Sequence, residues 1–468
     1  MTLIKSILLG SAAGIVAVAG AQAADLPTKK AAPAADYVKI CNVNGTAGFI
    51  VPGSDTCLKL FGDVKFEAIV GSTNTGYTYG RLYGTTLGVP DPRNTTFLTQ
   101  TVNPKNTRDN LELGAREDLG FTASSNTAYG PLVAEAQFEG NQRNAGGGGV
   151  TTLPGTFGAG FAMDHAFIKW AGFTAGDVGS YYDLGNGPGD LDYFSPDPGT
   201  VPTLAYTAAF GGGFSATVFV QDGVGKRANG SFVLAPDATA LAANPLAPSF
   251  TFNNTYHGVQ YPDVGAELEV VQGWGAAKIA AMAHNTNVIA GGYGDSTNFW
   301  GYGVNGLLQI NLPALGPKSE FTVQGAYSRG ALALGGVTAP GVIPFNGNGA
   351  NFLFTDAYDT AGGGFIEPTS WSVASHLTWV LSPQFSISPE ISYGQIDYGS
   401  GAAFIPQKLT AWMGGAIAHW DPVTNLDFQL DAIYVSAKET RPTALLPGTP
   451  WQTKSDGFFG RLQIARTF

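Results

Sequence analysis

The sequence predicts an all-β protein whose antiparallel strands close into a transmembrane barrel. Three observations carry this. The chain opens with an export signal. No later stretch reaches the roughly 18 to 20 continuous apolar residues of a membrane helix. Runs of about ten residues alternate between apolar and polar side chains, the pattern of strands with one face in lipid and one in water.

The export signal is expected over residues 1–23. Lys5 gives the positive start, Ile7 to Ala19 the short apolar centre, and Ala21-Gln22-Ala23 the small-x-small cleavage site. The apolar centre is too short to anchor the chain as a spanning helix. Residues 24–36 are rich in Ala, Pro and Lys and are expected to form a mobile linker. Residues 37–468 are expected to form a single barrel domain.

The alternation recurs along that domain. Leu60, Gly62, Val64, Phe66, Ala68 and Val70 share one face, and Asp63, Lys65 and Glu67 lie on the other. Leu132, Ala134, Ala136 and Phe138 alternate with Val133, Glu135, Gln137 and Glu139. Hairpins are expected around Pro313–Lys318, Ser382-Pro383 and Asp421–Asn425. Between hairpins lie long segments rich in Gly, Pro, Ala and Asn: 141–156, 223–257 and 330–364. Loops of that length are rare in compact soluble domains and are expected outside the membrane. A soluble sandwich is the alternative that alternation leaves open, because it would bury both apolar faces.

Composition agrees with a barrel. Glycine is 65 of 468 residues, about twice the usual share, and charged residues are 13%, about half of it. Trp170, Trp274, Trp379 and Trp420 lie near expected strand ends, where interfacial girdles would place them. The formal charge of −11 argues against a nucleic-acid partner. Cys41 and Cys57, the two cysteines of an exported chain, are expected to be bonded. The five histidines show no metal-ligand spacing, and no P-loop, H-E-x-x-H or G-x-S-x-G motif occurs. No catalytic residue, metal or cofactor is therefore expected. Asp183, Asp190 and Asp192 fall in a Gly/Pro-rich segment. On the residues alone they read as solvated loop charge as readily as a binding feature.

Several motifs together resemble the alphaproteobacterial general porins, the outer-membrane porins of rhizobia and brucellae. Tyr37 to Cys41 and Gly48 to Lys59 look like that family's first segment. Thr127-Ala128-Tyr129-Gly130-Pro131-Leu132 is similar to its T-x-Y-G-x-L turn. Ala166 to Phe173, Gly176 and Ser180 to Asp183 look like the approach to its constriction loop. Trp420 to Asp427 and the closing Arg461 to Phe468 recur in it. The resemblance implies sixteen strands, a homotrimer, and residence in the outer membrane against lipid and lipopolysaccharide. It implies a third loop folded inward, here placed at about Tyr181 to Thr203. It also implies a constriction in which Asp183, Asp190 and Asp192 face basic wall residues, here Lys65, Arg116 and Lys169. Ser124, Val133 and Asp177 depart from it by standing where many relatives are basic. Leu462, Ile464 and Phe468 look like the terminal strand presented to the barrel-assembly machinery, with Arg466 a departure. The implied function is passive diffusion of small hydrophilic solutes and ions, modestly favouring cations. A channel selective for sugars or organic acids is the first alternative, and a barrel adhesin the second.

Overall fold

Sixteen strands form one closed antiparallel barrel in a computed structural model of the chain. The structure describes residues 39–468, excepting 44, 74–75, 83–84, 87–88, 91–96, 104–110, 144–159, 186–193, 195, 197–198, 225–232, 237–249, 254–257, 290–295, 338–355, 360–364, 401–405, 442 and 444–452. The expected signal and linker lie outside the described residues. So do Gly146 to Gly149.

The barrel strands are β1 Cys57–Thr73, β2 Leu111–Thr127, β3 Gly130–Arg143, β4 Gly160–Trp170, β5 Phe173–Gly179 and β6 Thr200–Gly211. They continue as β7 Phe214–Gln221, β8 Asp263–Gln272, β9 Gly275–Ile289, β10 Ser296–Asn311 and β11 Glu320–Arg329. The last are β12 Thr369–Ser382, β13 Phe385–Asp397, β14 Lys408–Val423, β15 Leu426–Glu439 and β16 Lys454–Thr467. Each pairs with its neighbours in sequence. β16 closes the circle by pairing with β1 from Gly457↔Thr73 to Thr467↔Asp63.

Connections alternate between short and long. At one end β2–β3, β4–β5, β6–β7, β8–β9, β12–β13 and β14–β15 turn through two residues, and β10–β11 through a longer turn. Ala171-Gly172 and Gly212-Gly213 both hold positive φ at their two central positions, the geometry that matches strand twist in two-residue hairpins. Short turns mark the periplasmic end. The opposite end carries eight longer connections, numbered here loops 1 to 8 in chain order.

The two strand faces separate as alternation requires. On β16 Leu462 is outward and Arg461 and Gln463 are inward and buried. On β13 Ile391 and Tyr393 are outward, and Ser388, Glu390 and Ser392 are inward. β4 carries a bulge between Met163 and His165. It moves the apolar outward set from Phe161 and Met163 to Ile168 and Trp170. Trp371 and Trp379 lie on the outer face of β12, as Trp412 and Trp420 do on β14. Each pair is separated by eight residues, about 27 Å along an extended strand. Strand tilt shortens this to about 20 Å, close to the apolar band of a membrane barrel. Trp170, Trp274, Trp379 and Trp420 all lie at the short-turn end, and the first three donate Nε1–H to Thr127, Gln272 and Leu315. They form one girdle.

A hairpin of Ile40–Val43 and Thr46–Ile50 precedes β1 and pairs with its first residues. Cys41 and Cys57 are bonded, tying this hairpin to β1. At the other terminus Phe468 and Gly62 exchange backbone hydrogen bonds. Arg466 donates to the carbonyls of Asn425 and Thr467, so its charge sits among turn carbonyls at the short-turn end.

Replacing Cys41 and Cys57 with Ser should release the hairpin and leave the barrel closed. A closed loop of this size contributes about 3 kcal/mol. Limited proteolysis should then cut the hairpin in the double variant and spare it in the wild type, with heat-modifiable mobility unchanged in both.

Candidate pore constriction

Loop 3 runs from Ser180 to Gly199, slightly earlier than the sequence placed it. Thr200 to Thr203 belong to β6, paired with Gly176 to Gly179. The neck of the loop is closed by Ser180 N donating to Gly199 O at 3.3 Å. Ser180 Oγ donates to Gln221 Oε1 at 2.8 Å and accepts from Tyr182 N. These bonds turn the chain inward at the end of β5.

Tyr182 is the first anchor. It is completely buried, and burial pushes its phenol pKa up. Its hydroxyl donates to Leu334 O at 2.8 Å, and its carbonyl accepts from Asn305 Nδ2 of β10 at 2.9 Å. Gln324 Nε2 of β11 holds Asn305 Oδ1 in turn, at 3.2 Å. Gly303 is obligatory here, because a Cβ would lie 2.5 Å from Tyr182 Oη and from Leu334 Cβ. Leu184 packs with Phe219, Met282, Leu307 and Leu334 in one apolar cluster. Further along, Phe194 is buried and its N–H donates to Ser392 Oγ of β13 at 3.2 Å. Loop 3 thus leaves the wall at β5 and reaches it again at β10 and β13.

Leu334 belongs to loop 6, which the sequence reading placed wholly outside. Its first part is instead inside the barrel. A 3-10 turn, Leu332–Gly335, is buried against β10, β11 and β12. Gly330 N donates to Pro368 O at 2.9 Å and closes the neck of this loop. Leu332 N donates to Asp356 Oδ1 at 2.8 Å. Asp356 Oδ2 lies 3.8 Å from His284 Nε2, and His284 Nδ1 meets Asp263 Oδ2 at 2.8 Å. His284 on β9 therefore stands between a carboxylate of β8 and one of loop 6. All three side chains are fully buried.

Across the barrel the inner wall is charged. β2 lies eight strands from β10, the largest separation the circle allows. Lys65 and Arg116 are register partners on β1 and β2. Lys65 Nζ lies 3.3 Å from Asp118 and 3.4 Å from Asp63. Arg116 lies 3.0 Å from Asp118 and 2.8 Å from Glu139. Next to them, Arg461 of β16 bonds Asp431 at 2.6 Å and Glu67 at 3.5 Å. Gln463 and Gln429 complete these carboxylates.

The expected site residues are thus distributed as follows. Lys65 and Arg116 are brought together on the inner wall. Lys169 faces inward at the short-turn end, 4.6 Å from the Phe167 ring, an attraction through the ring face. Asp183 lies in loop 3 and accepts from Gly185 N at 3.3 Å. Asp190 and Asp192 lie outside the described residues. Ser124 and Val133 are on the inward faces of β2 and β3, whereas Asp177 falls on the outer register of β5 with Phe173. Arg461 was not singled out from the sequence. Its alternation against Leu462 and Ile464 is the signal that marks it as inward.

A closed barrel of this size with a polar interior and a loop folded into it defines an outer-membrane channel. The chain matches the family model described as Porin subfamily over residues 25–459 and belongs to that family. It is 27% identical over 411 residues to Porin Omp2b of Brucella neotomae, covering 83% of this chain and 92% of that one. It is 26% identical over 412 residues to Porin Omp2a of Brucella ovis, covering 83% and 98%. Among solved structures it resembles the outer membrane channel DcaP of Acinetobacter baumannii, with a TM-score of 0.52 at 14% identity over 90% of this chain and 99% of that one. The protein is an integral outer-membrane porin, a class of channels rather than enzymes.

Replacing Asp356 with Asn should loosen loop 6 from His284 and the β8–β9 wall. Single-channel conductance should rise or become noisier, with the barrel still heat-modifiable. Conductance and noise identical to wild type would show that this contact does not hold the loop.

Proposed function

We propose that the protein is a general diffusion porin with a modest preference for cations, working as a homotrimer. The observation that carries the ion preference is the charge of the inner wall. Among the described residues, inward carboxylates on β1, β2, β3, β8, β11, β13 and β15 outnumber the inward bases Lys59, Lys65, Arg116, Lys169, Lys278 and Arg461. Four of these bases are matched by carboxylates, Lys278 by Glu269 at 3.0 Å. The loop 3 sequence adds Asp183, Asp190, Asp192 and Asp197 with no base between Tyr181 and Thr203. Charges in a narrow, low-dielectric passage act over short range with little screening, so excess acid there enriches cations.

Two features favour a partner copy. β5 has seven residues and β7 eight, fewer than the about 9 to 11 that span a bilayer. Glu117 on β2 and Asp177 on β5 fall on the outward register, where lipid penalises charge. A second and third copy would cover this low, partly polar stretch of wall. A trimeric mass by light scattering in mild detergent is the expected result; a monomeric mass would contradict it.

The wild-type reversal potential in a KCl gradient should show cation preference. Replacing Asp190 and Asp192 with Asn should shift it toward the anion side, more at low salt. Anion preference in the wild type would refute the charge balance proposed here. Liposome swelling should rank neutral solutes by size rather than by chemistry, as a general pore requires.

A further inference from the structure

Of the inward Lys and Arg side chains named above, Lys65, Arg116, Lys278 and Arg461 each lie against a carboxylate. Lys59 and Lys169 do not. Both stand at the short-turn end, and each sits over a phenylalanine ring, Lys59 5.6 Å from Phe61 and Lys169 4.6 Å from Phe167. Among the described residues neither has a carboxylate within ion-pair distance. Glu135, the next inward residue beyond Val133 on β3, is engaged elsewhere. It accepts from Thr122 Oγ1 at 2.7 Å and meets His165 Nε2 at 3.4 Å.

Lys169 differs from Lys59 in bordering a cavity of about 540 Å³. Small-molecule sites have volumes of roughly 300 to 1,000 Å³. Pro131, Val133, Lys169, Thr174, Tyr181 and Thr207 line it, together with the β4–β5 turn. Pairing explains the grouping. Lys169 is the register partner of Val133 on β3 and of Thr174 on β5. Lys169 is exposed, and Val133, Tyr181 and Thr207 are half-buried, so solvent reaches the site.

Tyr181 comes down from loop 3. Its hydroxyl donates to Thr174 Oγ1 at 3.1 Å, and its ring lies 5.8 Å from that of Phe219 at an interplanar angle of 29°. These contacts hold the ring in one place. Thr174 is the second residue after the β4–β5 turn. The cavity therefore lies inside the barrel, between loop 3 and the short-turn mouth. A solute moving between the two passes it.

The lining sets the chemistry. An ammonium without a partner offers one positive charge and three N–H donors. Thr207 and Thr217 share one hydroxyl bond at 2.9 Å, which leaves a second hydroxyl hydrogen to donate. A single carboxylate answers this set, whereas a dianion would keep a charge uncompensated. The ring of Tyr181 and the side chains of Val133 and Pro131 present apolar surface, and an aromatic body suits a fixed ring.

We propose that this cavity binds small monocarboxylates carrying an aromatic ring, with the carboxylate on the Lys169 ammonium and the ring against Tyr181 and Val133. The inference rests on the channel reading above and names a solute class that the pore retains at its short-turn end. The acid-rich wall favours cations along the path; this site holds one kind of anion locally.

The test is current block in planar bilayers at low KCl, where the Lys169 charge is least screened. Sodium benzoate should reduce the wild-type current saturably. Acetate, with the charge and no ring, and benzamide, with the ring and no charge, should not at the same concentration. Lys169→Met should weaken the benzoate block about tenfold or more, the loss expected when charge-assisted hydrogen bonds go. Lys169→Arg should retain it. Lys59→Met, which removes an equal charge from β1, should leave it unchanged. Equal block by benzoate and acetate, equal block by benzoate and benzamide, undiminished block in Lys169→Met, or an equal loss in Lys59→Met overturns the proposal. The comparison of the three solutes needs only wild-type protein, so it stands even where a variant fails to insert. A wild-type barrel that conducts without benzoate block sinks this inference alone; one that does not conduct sinks the channel reading.

Discussion

A peptide group facing hydrocarbon finds no water to bond, and the free edge of a sheet carries a whole row of such groups. In this chain the pairing of β16 with β1 removes that edge. Much else follows from closure. Sixteen is an even number, so the start of β1 and the end of β16 fall at the same end, the end of the short turns. The alternation of each strand is forced into register with its neighbours, because a slip of one residue would turn an inner-wall acid toward lipid. The disulfide and the exchange of backbone bonds between Gly62 and Phe468 lie beside the seam where closure occurs.

Closure also creates an interior that must be filled or hydrated. The two halves of this interior are treated differently. From β6 to β13 the wall is packed by loop 3 and the start of loop 6, whose buried Tyr182, Leu184, Phe194, Leu332 and Leu334 make an apolar wedge. That wedge is held by specific polar contacts: Tyr182 to Leu334 and Asn305, Phe194 to Ser392, Leu332 to Asp356. From β15 to β3 the wall carries ion pairs instead. Each buried base there touches two carboxylates, which offsets the cost of taking a guanidinium or ammonium from water. The wedge therefore narrows the lumen from one side and leaves the charged arc to line what remains.

The barrel was legible in the sequence because its lipid face imposes a period of two, and a period survives without any partner being known. Leu60 to Val70, Leu132 to Glu139 and the three hairpins all fall on strands. The same rule carried the inward placement of Lys65, Arg116 and Lys169. What a period does not encode is which inward residues meet across strands far apart in the chain. Lys65 answers to Asp118, Arg461 to Glu67, and His284 to Asp356 of loop 6. Loop 6 itself reads as an exposed segment rich in Gly and Ala. Only the small residues Gly303 and Ser370 on the wall show why it fits inside, and their role appears only once Tyr182 and Gly335 stand against them.

Local pairing has a further consequence for how such a pore discriminates. A base matched by two acids contributes little field a few ångströms away, since its charge is compensated at short range and the remainder is screened. The arc from β15 to β3 therefore acts less as an anion-attracting wall than its Lys and Arg content suggests. The groups that act on a passing ion are the ones the fold has not already satisfied. Selectivity in this barrel thus depends less on how many charges the wall carries than on which of them the neighbouring strands leave unanswered.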